Sequence, residues 1–399
     1  MSQDRQSAGT TGPPRPDLTE LLEHLRTTAA ERDRRGGHAA REKQMLADAG
    51  LLTLTIPLAY GGQGASWPET YALLRRLANV DSALAHLLGF QYLQVTSVLV
   101  WGNPAQRERY LRGTVEQRWW WGNAVNPVDT RLTAVEHADG LVLDGVKGFC
   151  SGTMGSHRMV ISAHRPSDDK NSKTVVAVIP TDRNGVTVHD DWDPIGQRQT
   201  DSGSVSFRQV QVPGDDILHR SEAPASPYAS LRTLVSQLRL ANLFVGIAEG
   251  AFAEARTYVM QYTRPWFASG VTRSADDPYV IQRFAEMRLK IAPAQALTDR
   301  AALLLEAAWQ QGEQLAAAER AQVALAVAEA KVLAHRAALD VTEAIFDVCG
   351  ARATHAALGL DRFWRNARTH TLHDPIDYKI KAIGRYALEG ILPEPNLYT

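Results

Sequence analysis

The sequence reads as an α+β chain in three parts: an N-terminal helical domain at 17–117, a central β-barrel or β-sandwich domain at 118–226 and a C-terminal four-helix-bundle domain at 227–399. Three observations predict this order. Apolar residues recur at helical spacing before Trp119, then fall into short β-type runs, then return to long Ala- and Leu-rich helical stretches after Pro227.

Each element has a local reason. Residues 1–16 are polar and Pro-rich and read as a disordered leader. Leu18, Leu21, Leu22 and Leu25 form a helical stripe behind Asp17, a candidate cap. Tyr60-Gly61-Gly62-Gln63-Gly64 is too irregular for a phosphate loop and reads as a tight connection. Helices resume at Pro68 and again after Asp81 and Ser82, the second running to about Trp101. Asn103-Pro104 pairs a cap with proline at the first helical position.

Strands are expected at 119–125, 141–149, 159–164, 174–179 and 204–212, with Asp139-Gly140 as a hairpin signal. Long helices follow at 236–262, 278–309 and 316–348. A shorter one after Asp361 completes the expected antiparallel bundle.

Composition narrows the function classes. Forty-three Lys and Arg against 44 Asp and Glu give a net charge of −1, which supplies no footprint for nucleic acid. Cys150 and Cys349 are too few and too far apart for a disulfide framework or a cysteine metal site. No signal core is visible, and no stretch approaches a membrane span, so a soluble cytoplasmic protein is expected.

Five segments can carry chemistry. In Asp361-Arg-Phe-Trp-Arg-Asn-Ala-Arg-Thr-His-Thr-Leu-His-Asp-Pro375, His370 and His373 are three apart, and Asp374 at the next position faces elsewhere on a helix. A zinc site wants a third ligand and other spacing. Helix-end capping and hydrogen-bond or proton donation in a cleft both remain.

Phe149-Cys-Ser-Gly152 ends a strand in small residues, which allow a flat ligand to approach the backbone. A plain turn is the alternative, and Ser151 lacks the frame of a hydrolase nucleophile. The loop Asp191–Gly203 is too long for a hairpin turn; its Trp192 either stacks on a ring system or covers one end of the β domain. Arg264, where a helix ends in Pro265, Trp266 and Phe267, is a candidate phosphate clamp, and Arg352 after Gly350 is a similar case. His86 and Phe90 share a helix face, where a satisfied core histidine is the bland reading.

Together these segments resemble the acyl-CoA dehydrogenase superfamily, whose order of helical, β and four-helix domains this chain follows. Within it the chain is similar to the dibenzothiophene monooxygenase-like, two-component (group D) flavin-dependent monooxygenases. The resemblance covers nearly the whole chain beyond the leader. It is carried by Phe149-Cys-Ser-Gly152, Asp190–Gly203, Arg264-Pro-Trp266 and Arg362–Pro375. One departure from the dehydrogenases matters. Where many of them place a catalytic glutamate in Glu-Gly-Thr beyond an Arg-x-Ala-Arg run, this chain has His373-Asp374-Pro375 after Arg365-Asn366-Ala367-Arg368.

The resemblance implies a monooxygenase that takes reduced flavin (FMNH2, with FADH2 the alternative) from a separate NAD(P)H:flavin reductase. With O2 the flavin forms a C4a-hydroperoxide that oxygenates an apolar heteroaromatic substrate, a thiophene-type sulfur or an indole-type ring. It implies that Asn123, Ser151, His373 and His86 act on the peroxide. Phe149 and Trp192 would contact the flavin ring, and Arg264 and Arg352 would hold its phosphate, across a subunit boundary of a homotetramer. An acyl-CoA dehydrogenase with its base moved to Glu249 or Glu254, and an amine N-hydroxylase, are the alternatives.

Overall fold

The structure, a computed structural model, describes residues 17–166, 173–220 and 225–399; the leader at 1–16 lies outside them. The helices before the sheet are α1 (Thr19–Arg35), α2 (Ala40–Asp48), α3 (Trp67–Val80), α4 (Ser82–Trp101), α5 (Pro104–Arg107) and α6 (Gly113–Gln117). Their starts follow side-chain chemistry. Ser66 and Glu69 close a capping box on α3, and Asn103 and Gln106 do so on α5. The Asp81 carboxylate accepts from the Leu84 N–H at the head of α4. Asp17 acts one residue earlier than a cap, its carboxylate accepting from the Thr19 N–H at 2.9 Å.

Eight strands follow: β1 (Trp121–Ala124), β2 (Thr133–His137), β3 (Gly140–Lys147), β4 (Arg158–Arg165), β5 (Lys173–Pro180), β6 (Val186–Val188), β7 (Val205–Pro213) and β8 (Ile217–Arg220). They form one open path, β6-β7-β3-β2-β4-β5-β8, with β1 parallel to β4. Its two halves meet at a single β2–β4 pair, Thr133 with His164. Between the halves lies an apolar core of Leu141, Leu143, Val205, Phe207 and Val210 against Met159, Ile161, Val175, Ala177 and Ile179. The arrangement is therefore sandwich-like and not a closed barrel. Strands β2, β6 and β8 lie outside the expected runs. β6 has only three residues and β2 is mostly exposed, so neither offers the apolar run that marks a strand in sequence.

Strands β4 and β5 are buried on both faces. Val160, Val176 and Val178, pointing opposite to the sandwich core, pack on Val95 and Val98 of α4. Here one sequence expectation fails. Residues 82–101 of α4 are long and apolar enough to cross a membrane by length and composition, yet nearly all of the helix is inside the protein. A helix that is apolar on every side is what a central position demands.

The C-terminal helices are α7 (Pro227–Tyr262), α8 (Pro278–Gln310), α9 (Ala317–Cys349), α10 (Asp361–Thr371) and α11 (Asp377–Glu389). α7, α8 and α9 pack together as three long members. The expected fourth helix is instead two short ones, α10 and α11, both on α9, because Leu372–Pro375 breaks the run. One core unites both helical ends of the chain, from Leu18 through Leu88 to Ala367.

α3 crosses α7 at small residues. A Cβ on Gly250 would lie 2.1 Å from the Asn79 carbonyl oxygen, a backbone atom with nowhere to go. A Cβ on Gly384 in α11 would meet nothing within 4 Å. Gly250→Ala should therefore cost about 1–3 kcal/mol in urea unfolding, whereas Gly384→Ala should gain about 0.5–1 kcal/mol from helix propensity.

Candidate active site

Five segments converge at the seam between α4 and the sheet. α4 contributes His86, Gln94 and, one turn beyond His86, Phe90, whose ring meets the imidazole edge-on at 4.7 Å. β1 contributes Asn123. The turn after β3 contributes Phe149 and Ser151. The loop between β6 and β7 and the end of α10 add Trp192, Gln197, His370 and His373.

Hydrogen bonds fix the protonation pattern. Arg239 on α7 can only donate, so its contact with His86 Nδ1 at 3.0 Å makes that nitrogen the acceptor. His86 Nε2–H then donates to Ser151 Oγ at 3.2 Å. The serine hydroxyl is left to donate, here to Ser202 Oγ at 2.7 Å. Gln94 Nε2 donates to Asn123 Oδ1 at 2.9 Å, which leaves the Asn123 NH2 to donate elsewhere. The Asn123 N–H donates to the Ser151 carbonyl, tying β1 to the turn.

The His370 ring lies 4.4 Å from that of His86. Its Nδ1 accepts from Gln197 Nε2 at 3.1 Å. Burial holds His86 and His370 well below the usual imidazole range, and neighbouring positive groups add to the effect. Both are neutral. The sequence reading weighed His370 together with His373 but assigned it no place in the site, because spacing alone does not show that it faces His86.

His373 stands beyond the end of α10, not on it, so the expectation that Asp374 faces elsewhere fails. His373 Nδ1–H donates to Asp374 Oδ1 at 2.8 Å. The same carboxylate accepts from Lys331 and from Lys379 at 2.6 Å. Those donors keep Asp374 ionised, far below the usual carboxylate range despite its burial. Partial desolvation lowers the His373 pKa although its side chain is 37% exposed, while Asp374 pulls it the other way. Its Nε2 is the nitrogen free for chemistry.

Phe149 and Trp192 make an aromatic wall, with ring centroids 6.0 Å apart. Trp192 Nε1 donates to the Gln197 carbonyl. Phe149 is 67% exposed although its turn is otherwise packed. Phe149, Gln197 and Asp201 have φ of 59°, 57° and 45°, a left-handed backbone that non-glycine residues adopt at a cost. Such strain clusters where a loop serves a ligand.

Arg264 and Arg352 are not at this cluster. They line a cavity of about 700 Å³ with Tyr258, Arg283 and Cys349, at the far ends of α7 and α9. Arg239 and that cavity are separated by roughly 30 Å along α7, given 1.5 Å per helical residue. No flavin mononucleotide spans that distance, so within one chain no such ligand reaches both Arg239 and the two arginines. The sequence put both arginines beside glycine or proline loops but could not show at which end of the bundle those loops lie.

The buried histidines make stability depend on pH with a definite sign. Neutral when folded, they protonate freely once unfolded, so below about pH 6.5 the unfolded chain binds more protons. Asp374 does not interfere, since its stabilisation is complete above about pH 3.9. Urea-unfolding free energy should therefore fall by about 1 kcal/mol for each of the two histidines as pH drops from about 6.5 to about 5.5. His370→Asn should flatten that slope by one histidine's share.

Comparison with known proteins follows this geometry. Residues 20–118 match the acyl-CoA dehydrogenase N-terminal domain, and residues 238–378 match its C-terminal domain. A probable FMNH2-dependent monooxygenase, SfnC of Pseudomonas putida, is 46% identical, covering 97% of this chain and 98% of its own. The solved structure of methanesulfinate monooxygenase MsuC from Pseudomonas fluorescens superposes with a TM-score of 0.93 at 44% identity, over 95% of this chain and 98% of that one. TdsC of Paenibacillus sp. A11-2, a dibenzothiophene monooxygenase solved with FMN and indole, has a TM-score of 0.90 at 38% identity, over 96% and 98%. The chain thus belongs to the acyl-CoA dehydrogenase family and, within it, to the flavin-dependent monooxygenases.

Proposed function

We propose that the protein takes reduced FMN from a separate NAD(P)H:flavin reductase and, with O2, adds one oxygen atom to a small organic substrate with a largely apolar body. An electron-rich sulfur or heteroaromatic ring is the reacting group. The observation that carries this reading is the donor set. The cluster offers hydroxyl, amide and neutral imidazole groups, and no carboxylate in it is free to act as a base.

A dehydrogenase acting on acyl thioesters must remove an α-proton. Asp374 accepts from Lys331, Lys379 and His373 and has no basicity to spare. Glu254 is paired with Arg362, and Glu249 is turned toward Arg75 and Asn79, both well along α7 from Arg239, the α7 residue that meets His86. Neither relocated carboxylate reaches the cluster.

The residues fit a flavin. The exposed Phe149 ring and half-buried Trp192 match a flat ring, and the Ser151 and Asn123 donors suit its carbonyl and nitrogen acceptors. Arg264 and Arg352 suit a phosphate, contributed by a neighbouring copy in a homotetramer. Reduced FMN, when bound, supplies the two electrons by which O2 gives one atom to substrate and one to water. The protein does the rest. Phe149 and Trp192 position the ring, Ser151 holds a donor fixed by His86, His373 moves a proton at Nε2, and the packed seam excludes water that would divert the reaction to peroxide.

Anaerobic titration with reduced FMN, then aeration with dibenzothiophene, methyl phenyl sulfide and indole, tests this reading. Ser151→Ala and His373→Ala should each lower product by about 100-fold, the scale of a lost donor or proton carrier, with O2 recovered as hydrogen peroxide. Acyl-CoA-dependent flavin bleaching without O2 would overturn the assignment. In a second experiment, Arg264→Ala should weaken FMN binding about 10-fold or more without altering the spectrum of bound flavin.

A further inference from the structure

Arg239 is only 1% exposed and has no carboxylate partner among the described residues. Nη1 donates to His86 Nδ1, and the guanidinium lies over the Phe90 ring, 4.2 Å from its centroid. Its Nε and Nη2 are buried without a hydrogen-bond partner. These are the two N–H groups on one edge of the guanidinium, the pair that meets two oxygens of a single oxyanion side by side.

The surroundings sharpen the imbalance. The charged or titratable groups close to Arg239 are Arg232 on the same helix, Lys331 on α9, Tyr71 on α3, and His86, His370 and His373. Tyr71 donates its hydroxyl to the Val235 carbonyl. Asp374, the carboxylate beside Lys331, is fully used by Lys331, Lys379 and His373. Burial lowers the Arg239 pKa to about 9, so the side chain is still a cation at neutral pH. An unpaired buried cation is among the most costly arrangements a core can hold. Through His86 this one is hydrogen-bonded directly to the Ser151 donor chain.

We infer that Arg239 anchors the anionic head of the substrate, which is a small organic oxyanion with two oxygens on one atom, its apolar body lying against Phe90. The inference rests on the monooxygenase reading above and deepens it. A sulfinate and a carboxylate share this head chemistry, but only the sulfinate keeps a lone pair on the atom Arg239 would position. The reaction balances as R–SO2⁻ plus O2 plus reduced FMN giving R–SO3⁻, water and oxidised FMN. A new S–O bond forms and the O–O bond breaks. Sulfur loses two electrons, and the second oxygen leaves as water with the two protons and two electrons of the reduced flavin.

The test uses the full chain with FMN and three ligands of similar shape: benzenesulfinate, benzoate and neutral methyl phenyl sulfide. Calorimetric titration should show both anions binding at least about tenfold tighter than the sulfide, with benzenesulfinate oxygenated in preference to the sulfide, and benzoate not at all, when reduced FMN and O2 are supplied. Arg239→Gln should erase the anion preference, a loss of about 10- to 100-fold, while Arg239→Lys keeps part of it as a point charge without the fork. Benzoate should raise the melting temperature of the wild type and not of Arg239→Gln. If Arg239→Gln does not fold, the weakened preference of Arg239→Lys carries the test. Equal binding of all three ligands by the wild type, or an anion preference unchanged in the variants, overturns the anchor. Failure of the wild type to bind FMN or to consume O2 with reduced FMN would instead overturn the monooxygenase reading beneath it.

Discussion

The site depends on one constraint: α4 is buried on every side, so each polar group it carries must find its partner in another element. Gln91 accepts from the Trp121 N–H and donates to the Leu52 and Trp119 carbonyls. Gln94 orients Asn123, and His86 orients Ser151. An unsatisfied polar atom in this position costs on the order of 1–3 kcal/mol. The helix thus specifies where β1 and the turn after β3 sit relative to the helical lobe. The same bonds that dock the sheet also set the direction of the donors in the cluster.

Electrostatics complete the arrangement. Burial keeps His86 and His370 neutral, which makes them fixed hydrogen-bond partners and not cations. The charged groups divide into two kinds. Asp374 is over-supplied with donors and holds His373 in one orientation, whereas Arg239 is under-supplied and carries two buried donors without acceptors. The first is a structural clamp. The second is an unmet electrostatic demand beside the reacting groups, and substrate charge is the natural complement.

The separation of the aromatic and donor cluster from the Arg264 and Arg352 cavity has an architectural cause. α7 and α9 are long, 36 and 33 residues, and the loops beyond their C-terminal ends hold Arg264 and Arg352. Two surfaces that suit opposite ends of one cofactor lie on opposite ends of one bundle. The proposed homotetramer is the assembly in which a second copy of the chain supplies the missing end. This arrangement is what the proposed assembly must satisfy.

The order of helices, sheet and helices was legible because periodicity is a local property: the Leu18–Leu25 stripe, the capping box at Asn103 and the Asp139-Gly140 turn each act within a few residues. The short or exposed strands β2, β6 and β8 were not, since their pairing comes from neighbours and not from their own composition. A helix end ahead of Pro375 was legible as an alternative, but the second short helix beyond it was not, and neither was the turn of His373 toward Asp374 that the break produces. Local pattern and motif resemblance picked out Ser151, Asn123, His86 and His373 as chemistry-bearing. Only the tertiary structure decided that His370 faces His86, that Arg239 stands among them without a counter-charge, and that Arg264 and Arg352 lie far away. Burial and long-range hydrogen bonding depend on which segments meet in space, and no window of sequence contains that.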